Sequence, residues 1–93
     1  MGNVVVFSNP ADWAEILSGM IFKVHVKDFL SGSRFSGTFV DLLEGSLNWK
    51  KVIPVLRAAG YDSYLTAEVS ALQDHAEYKF RITSAALDEI IKY

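Results

Sequence analysis

Two segments of this chain alternate polar and apolar side chains with a period of two, in residues 22–27 and again in residues 64–70. In "FKVHVK" the apolar and polar positions are Phe22, Val24 and Val26 against Lys23, His25 and Lys27. Because successive side chains of a β-strand point to opposite faces, each segment predicts a strand with one apolar face and one polar face. Doubly wound parallel sheets are buried on both faces, so this pattern excludes an ordinary doubly wound sheet.

Segments with helical spacing separate these strands. Asn9 before Pro10 predicts the start of one helix, which ends near Gly19, and Asn48 predicts a second, which ends at Gly60. Trp13 and Trp49 lie at the spacing of core residues in these two helices, so both are predicted to be buried. The other predicted elements are a strand end at 4–7, a strand at 21–29, a Gly- and Ser-rich loop at 30–46, and a last helix at 78–92. An alternation of strands and helices predicts parallel strands joined by right-handed crossovers.

The strand pattern allows two architectures. In the first, a two-layer domain exposes its polar sheet face to water. In the second, the chain is a piece of a (β/α)8 barrel, whose inner face turns polar near the carboxyl ends of its strands, where active sites lie. A full barrel takes about 250 residues, so 93 residues supply about three βα units and leave open sheet edges that favour pairing with another chain.

Composition narrows the class of protein. The 93 residues, 51% of them hydrophobic, fit one globular domain or part of a larger one. A net charge of −2 gives no support for a nucleic-acid partner or a membrane-surface partner. The chain has no cysteine and no long apolar run, so we expect no disulfide, no membrane span and a cytoplasmic location.

Three longer stretches carry a family resemblance. They read GNVVVFSNPADWAEIL, IFKVHVKDF and EGSLNWKKVIPVLRAAGYDSYLTAEVS. In this order and spacing they are similar to the C-terminal part of sugar phosphate isomerases/epimerases of the xylose isomerase-like TIM-barrel superfamily. The resemblance covers nearly the whole chain. It implies that residues 1–93 form a partial barrel domain, the C-terminal portion of about three βα units, with parallel strands.

The resemblance also implies a metal site in the full-length parent, for Mn²⁺ or Mg²⁺ with Zn²⁺ as an alternative. The family binds its metal through Glu, Asp, His and Glu on four successive strands. Its His-x-Lys-Asp motif matches His25, Lys27 and Asp28, and its last metal-binding Glu matches Glu68. Its metal-binding Asp precedes a Gly-Asn pair, which here stands at residues 2–3. Two ligands are therefore expected upstream of this chain, and metal binding by the fragment is expected to be weak or absent.

The same resemblance assigns roles to individual residues. Glu68 is the expected catalytic residue, which exchanges a proton with the sugar carbon beside the carbonyl through an enediolate. By their positions after the second strand and in the long loop, Lys27 and Arg34 are candidates for binding a phosphate or hydroxyl of the substrate, a small sugar or sugar phosphate. The alternative is that both are solvated charges, and it is favoured for Arg34. The family's first Glu supplies the second base of an epimerase, so the isolated fragment is expected to be inactive. Asp28 is expected to orient a neighbour or cap the loop.

Other interpretations remain open at this point. The main alternative is a non-enzymatic α/β interaction module that pairs with a separate chain carrying the other barrel half. Within the same superfamily, endonuclease IV-like repair enzymes need a basic surface that a net charge of −2 does not provide, and inosose dehydratases are a further possibility. Without the resemblance, His25 and Glu68 would be read as ordinary surface residues. In each case the exposed sheet edges favour a homo-oligomer.

Overall fold

The computed structural model describes residues 1–33 and 36–93. Helices and strands share this part of the chain: α1 (Gly2–Val5), α2 (Pro10–Ile16), β1 (Val24–Val26), β2 (Asp28–Ser31), β3 (Gly37–Val40), α3 (Trp49–Ala58), β4 (Leu65–Ala67) and α4 (Ala76–Ile90). The molecule is therefore a small α/β protein.

The polar and apolar faces predicted for the strands are confirmed within β1, whereas Phe22, predicted on the apolar face, precedes β1 and is 89% exposed. β1 pairs with β4 so that His25 lies opposite Thr66, and these strands form a two-stranded sheet within the described residues. Val24 and Val26 are buried, whereas His25 between them is exposed. Parallel strands joined by a helical crossover are thus confirmed for β1, α3 and β4.

Helices cover the apolar face of this sheet. Alanines of α2, four side chains of α3 and Ile90 of α4 pack on β1 in one cluster, whose buried members include Ala11, Ala14, Val24, Val26, Trp49, Val52, Ile53, Leu56 and Ile90. Burying each large apolar side chain stabilises the fold by about 1.5–3 kcal/mol before entropy costs. The helix layer therefore holds the sheet from one side, and the polar face is left free to carry exposed groups.

Helix starts follow the sequence signals closely. The Asn9 side chain accepts a hydrogen bond from the Ala11 amide at 3.0 Å, and the Asn48 side chain accepts one from the Lys51 amide at 3.2 Å. Gly60 follows α3 with φ +82°, a left-handed conformation that glycine adopts without strain. α4 begins and ends two residues before its predicted bounds.

The prediction of a strand at residues 4–7 was wrong, because this region contains helix α1 and the turn after it. Short apolar runs do not distinguish a strand from a buried helix by pattern alone. Here the Ser8 amide donates to the Val4 carbonyl at 2.8 Å, so the backbone is satisfied locally. Only two strands of the predicted parallel arrangement are present in residues 1–33 and 36–93.

The long strand and long loop predicted for 21–29 and 30–46 were also wrong in part. The strand divides at Lys27, and the loop contains the second arm of an antiparallel hairpin, β2–β3, in which Phe29 lies opposite Phe39. A Cβ on Gly37 would lie 2.4 Å from the Phe29 ring, so glycine permits this close crossing. The strand predicted for 64–70 is likewise shorter.

The two tryptophans differ in their packing. Trp49 is 4% exposed and belongs to the core, as predicted. Trp13 is 41% exposed, so its prediction as a core residue was wrong. Two alanines of α2, Ala11 and Ala14, make the buried contacts of that helix instead. Helical spacing identified the helix correctly but selected its more exposed face.

Candidate functional site

Side chains from both parallel strands converge where the strands end. His25 lies in the middle of β1, Lys27 follows β1 directly, and Glu68 follows β4 directly. The Glu68 amide donates to the Val26 carbonyl at 2.8 Å, which extends the parallel pairing by one residue. Because parallel strands end at the same edge of a sheet, His25, Lys27 and Glu68 lie together on the polar face.

Glu68 is the centre of this group, which we call the carboxylate site (His25, Lys27 and Glu68). Its Oε1 accepts a hydrogen bond from Lys27 Nζ at 3.0 Å, and its Oε2 lies 3.7 Å from His25 Nδ1. The second distance is longer than a hydrogen bond. About half of the Glu68 side chain and of the His25 side chain is exposed, whereas Lys27 is 21% exposed. The site is an open surface on the sheet.

The charges around Glu68 favour its ionised form. The hydrogen bond from the Lys27 ammonium and the positive charge of Lys27 lower the pKa of Glu68, and partial burial opposes them weakly. Hydrogen bonds and opposite charges that favour an anion lower its pKa in this way. Glu68 is therefore a carboxylate at neutral pH, the form that a metal ligand or a proton acceptor requires, although the lowered pKa also makes it a weaker base.

The amino group of Met1 lies beside the same strand. It donates a hydrogen bond to the His25 carbonyl at 2.7 Å, on the edge of β1 that faces away from β4. Burial lowers the pKa of this amine, and the negative charge of Glu68 partly opposes that effect. A backbone acceptor of β1 is thus satisfied by the residue that lies where a neighbouring strand would pair.

The donor types at the carboxylate site fit a divalent metal. Imidazole nitrogen and carboxylate oxygen are ligands for Zn²⁺ and Mn²⁺, and Nδ1 of His25 and Oε2 of Glu68 are close enough to share one ion. Across residues 1–33 and 36–93, however, no group of three or more His, Cys, Asp or Glu side chains could hold a metal ion. These residues fit a metal in chemistry but supply only part of a ligand set.

Asp28, beside Lys27, serves the loop and not the carboxylate site. It is fully buried, and its carboxylate accepts hydrogen bonds from the amides of Leu43 and Leu47 and from Trp49 Nε1 at 3.0–3.3 Å. The expectation that Asp28 caps the loop is confirmed by these contacts. A Cβ on Gly45 would lie 2.0 Å from the Asp28 carboxylate, so the loop closes tightly around it.

Other candidate residues lie elsewhere. Arg34, predicted to bind substrate, lies outside the described residues. His75 is exposed at the start of α4, as expected of a surface residue. Sequence reasoning missed Phe39, whose ring centroid lies 4.2 Å from Lys27 Nζ. It also missed the ion pair of the buried Lys79 with the half-buried Asp41. Both are long-range contacts with no local sequence signal.

Comparisons with known proteins leave the family open. Searches against protein-family models, curated proteins and solved structures found no match to this chain. None of the helices in the described part of the chain is long and apolar enough to cross a membrane. The geometry of the carboxylate site and the sequence resemblance are therefore the basis for a functional proposal.

Proposed function

We propose that this chain is the C-terminal part of a metal-dependent sugar phosphate isomerase/epimerase with a (β/α)8 barrel fold. One observation carries the proposal: His25 and Glu68, which the family resemblance pairs as metal ligands, lie 3.7 Å apart on neighbouring parallel strands. Active sites of such barrels lie at the carboxyl ends of the strands, where this pair lies. The sequence separation of 43 residues gives no local reason for the two side chains to meet.

In this proposal Glu68 moves the proton. Its carboxylate, ionised at neutral pH, accepts a proton from the sugar carbon next to the carbonyl and returns it to the neighbouring carbon of the enediolate. His25 and Glu68 would hold the metal, which when bound would supply electrostatic stabilisation of negative charge on the substrate oxygens. Lys27 and Arg34 contact a phosphate or hydroxyl group of the substrate.

The isolated chain is proposed to be inactive and to bind metal weakly. Two donors from His25 and Glu68 are fewer than a divalent ion requires for tight binding. The Lys27 ammonium at Oε1 of Glu68 adds a positive charge that opposes a bound cation. Turnover of a ketose phosphate by the 93-residue chain would contradict this part of the proposal.

The metal site can be tested by paramagnetic broadening, which detects weak binding. Mn²⁺ is added at substoichiometric concentration to ¹⁵N-labelled protein, and we expect selective broadening of amide signals near His25 and Glu68. Glu68→Gln and His25→Ala should abolish it. His75→Ala and Glu77→Gln are the matched controls, because both side chains are exposed and lie on or beside α4. Broadening that is centred elsewhere, or that survives Glu68→Gln, would refute the site.

A second candidate function, an interaction module, is supported by exposed apolar side chains near the sheet. Phe22 and Tyr64, which precede β1 and β4, are 89% and 86% exposed. Such side chains beside open sheet edges favour self-association or pairing with a separate barrel half. Sedimentation equilibrium should show a concentration-dependent dimer that Phe22→Ser with Tyr64→Ser weakens. A monomer at high concentration would count against this candidate.

The DNA sequence upstream of the Gly2 codon distinguishes the two candidates. An open reading frame that encodes an Asp directly before Gly2, and a Glu one strand earlier, would support a single-chain enzyme. A stop codon and a start site before Met1 would instead favour a partner chain that carries the missing ligands.

A further inference from the structure

An aromatic ring from the hairpin lies against the carboxylate site. The ring centroid of Phe39, on β3, is 4.2 Å from Lys27 Nζ. Phe39 is itself held edge-on by Phe29, with ring centroids 5.2 Å apart and an angle of 70° between the rings. Phe29 is 6% exposed and Phe39 is 45% exposed, so a buried ring supports a partly exposed one. The contact with Lys27 therefore rests on an aromatic pair that is buried at one member.

Two partners define the position of the Lys27 ammonium. The face of an aromatic ring attracts a cation within about 6 Å of its centroid. On its other side, the ammonium donates to Glu68 Oε1 at 3.0 Å. A lysine side chain in water samples many rotamers, and a second partner reduces that freedom. With 21% of its side chain exposed, Lys27 is more ordered than an ordinary surface lysine is expected to be.

This arrangement determines which oxygen of Glu68 is free of Lys27 and can face His25. Lys27 holds Oε1, so Oε2 is the oxygen that faces Nδ1 of His25. We infer that Phe39 is a positioning residue: its ring holds Lys27 where that lysine orients Glu68 with Oε2 toward His25. The chemical value of this orientation rests on the proposed function, in which Oε2 and Nδ1 share a metal. The ring contact itself is independent of any metal.

The test is a proton NMR measurement on the metal-free chain. Protons above an aromatic ring shift upfield, so the ε-methylene protons of Lys27 should resonate upfield of those of the other lysines. Phe39→Leu removes the ring and keeps an apolar side chain. We expect the upfield shift to disappear and the ratio of paired to unpaired Lys27–Glu68 conformers to fall roughly two- to five-fold, as expected for an exposed cation–π contact. Phe39→Tyr should retain both the upfield shift of Lys27 and the ratio of paired to unpaired Lys27–Glu68 conformers.

Phe80→Leu is the matched control, because it makes the same substitution at an exposed ring on α4, outside the hairpin. It should leave the Lys27 shift unchanged. If Phe39→Leu disturbs the amide signals of the hairpin, pentafluorophenylalanine at position 39 preserves the shape of the ring and reverses its quadrupole. The upfield shift should then still be lost. An unchanged Lys27 shift in either variant, or a loss in Phe39→Tyr equal to that in Phe39→Leu, would overturn the inference.

Metal titration separates this inference from the proposed function. If Mn²⁺ fails to broaden signals near His25 and Glu68 while Phe39→Leu still releases Lys27, the metal proposal fails and the positioning role of Phe39 stands. If Mn²⁺ binds at Glu68 but Lys27 does not respond to Phe39→Leu, the positioning role fails alone. Each result decides one of the two claims.

Discussion

The parallel pair β1–β4 and the hairpin β2–β3 are adjacent in sequence but are stabilised differently. Lys27 alone separates β1 from β2. β1 places Val24 and Val26 in the main core, under three helices, and pairs with a strand some 40 residues away. The hairpin pairs two strands that are close in sequence, and every residue of β3 except Val40 is exposed. One region depends on long-range burial, whereas the other depends on backbone pairing, one aromatic contact and the buried Asp28 at the start of β2.

This difference explains why the carboxylate site is built at their junction. The backbones of His25 and Glu68 are held by the parallel pairing of β1 with β4, whose apolar face is buried under the helices. Lys27 is the first residue after β1, and its ammonium contacts a ring from the hairpin. His25 and Glu68 are thus positioned by the buried parallel pair, and the ring that contacts Lys27 comes from the less buried hairpin.

The largest effect should come from the core beneath the parallel pair. Leu56 on α3 is 2% exposed, and Leu56→Ala should lower the free energy of unfolding by about 2–5 kcal/mol. That is a large part of the total, which for 93 residues is about 5–14 kcal/mol. Urea denaturation followed by circular dichroism measures the loss. Leu30→Ala in the hairpin, at a residue 47% exposed, is the matched control and should cost less than about 0.5 kcal/mol. Equal losses would contradict the comparison.

A smaller but still substantial effect is expected at Asp28, which joins the two regions. Asp28→Asn conserves shape, but it turns an amide donor toward buried N–H groups that now share the carboxylate. Each carboxylate oxygen accepts from two donors, and a buried donor left without an acceptor costs about 1–3 kcal/mol. Because the remaining oxygen can be shared in part, we expect a total loss near the lower end for two donors, about 2–3 kcal/mol. Urea denaturation followed by Trp49 fluorescence, in a Trp13→Phe background, reports the change. A free energy of unfolding within about 0.5 kcal/mol of that of the Trp13→Phe protein would show that the loop does not need the Asp28 carboxylate.

The parallel pair is predictable because its signals are local and repeated. A period-two pattern in residues 22–27 determines which face of β1 is apolar, and the asparagine before α3 determines where that helix begins. The same period places His25 and Glu68 on the polar face of their strands. Chain order then predicts that these strands run in parallel.

The hairpin and its contacts are not predictable in the same way. Gly37 is required because the Phe29 ring crosses it, a reason visible only in three dimensions. Phe39 meets Lys27 through tertiary folding, and Asp41 meets Lys79 across 38 residues. The apolar, β-branched pattern of residues 4–7 favours a strand, yet local hydrogen bonds close them into a helix and turn. A sequence pattern therefore indicates which face of a helix or strand is buried, but it does not identify the residues that pack against that face.

Loss of a helix cap should have an intermediate effect, centred on the start of α3. Asn48 accepts a hydrogen bond from the Lys51 amide at the start of α3, and Asn48→Ala should destabilise the fold by about 1 kcal/mol. Thermal unfolding monitored at 222 nm measures it. Amide shifts in β3 should be unchanged, whereas the Asp28 amide shift in β2 should respond, because the residues on either side of Asn48 donate to the Asp28 carboxylate. Asn48→Asp, which retains an acceptor, is the control and should stay near the parent. If Asn48→Asp destabilises the fold as much as Asn48→Ala does, loss of the capping hydrogen bond is not the cause of the destabilisation.

The smallest expected effect is on the pH dependence of stability, through the contact between Lys27 and Glu68. Lys27 lowers the pKa of Glu68, so the unfolded chain binds a proton more readily than the folded chain does. The stabilisation is therefore complete above the ordinary glutamate pKa of about 4.3, and it is lost as the pH falls through the lower folded value. Lys27→Met should return the carboxyl titration of Glu68, followed by ¹³C NMR, toward the ordinary pKa. Lys92→Met, which removes a lysine paired with Glu89 instead, should not move it.

Phe39→Leu sharpens the same measurement. If the ring holds Lys27 against Glu68, removing the ring should raise the pKa of Glu68 in the same direction as Lys27→Met but by a smaller amount, because the ammonium stays nearby. A shift as large as that of Lys27→Met would mean that the ring supplies all of the order of Lys27. No shift would mean that the parallel pair positions Lys27 without the hairpin. The ratio of the two shifts therefore measures how much a locally folded hairpin contributes to a site built on long-range burial.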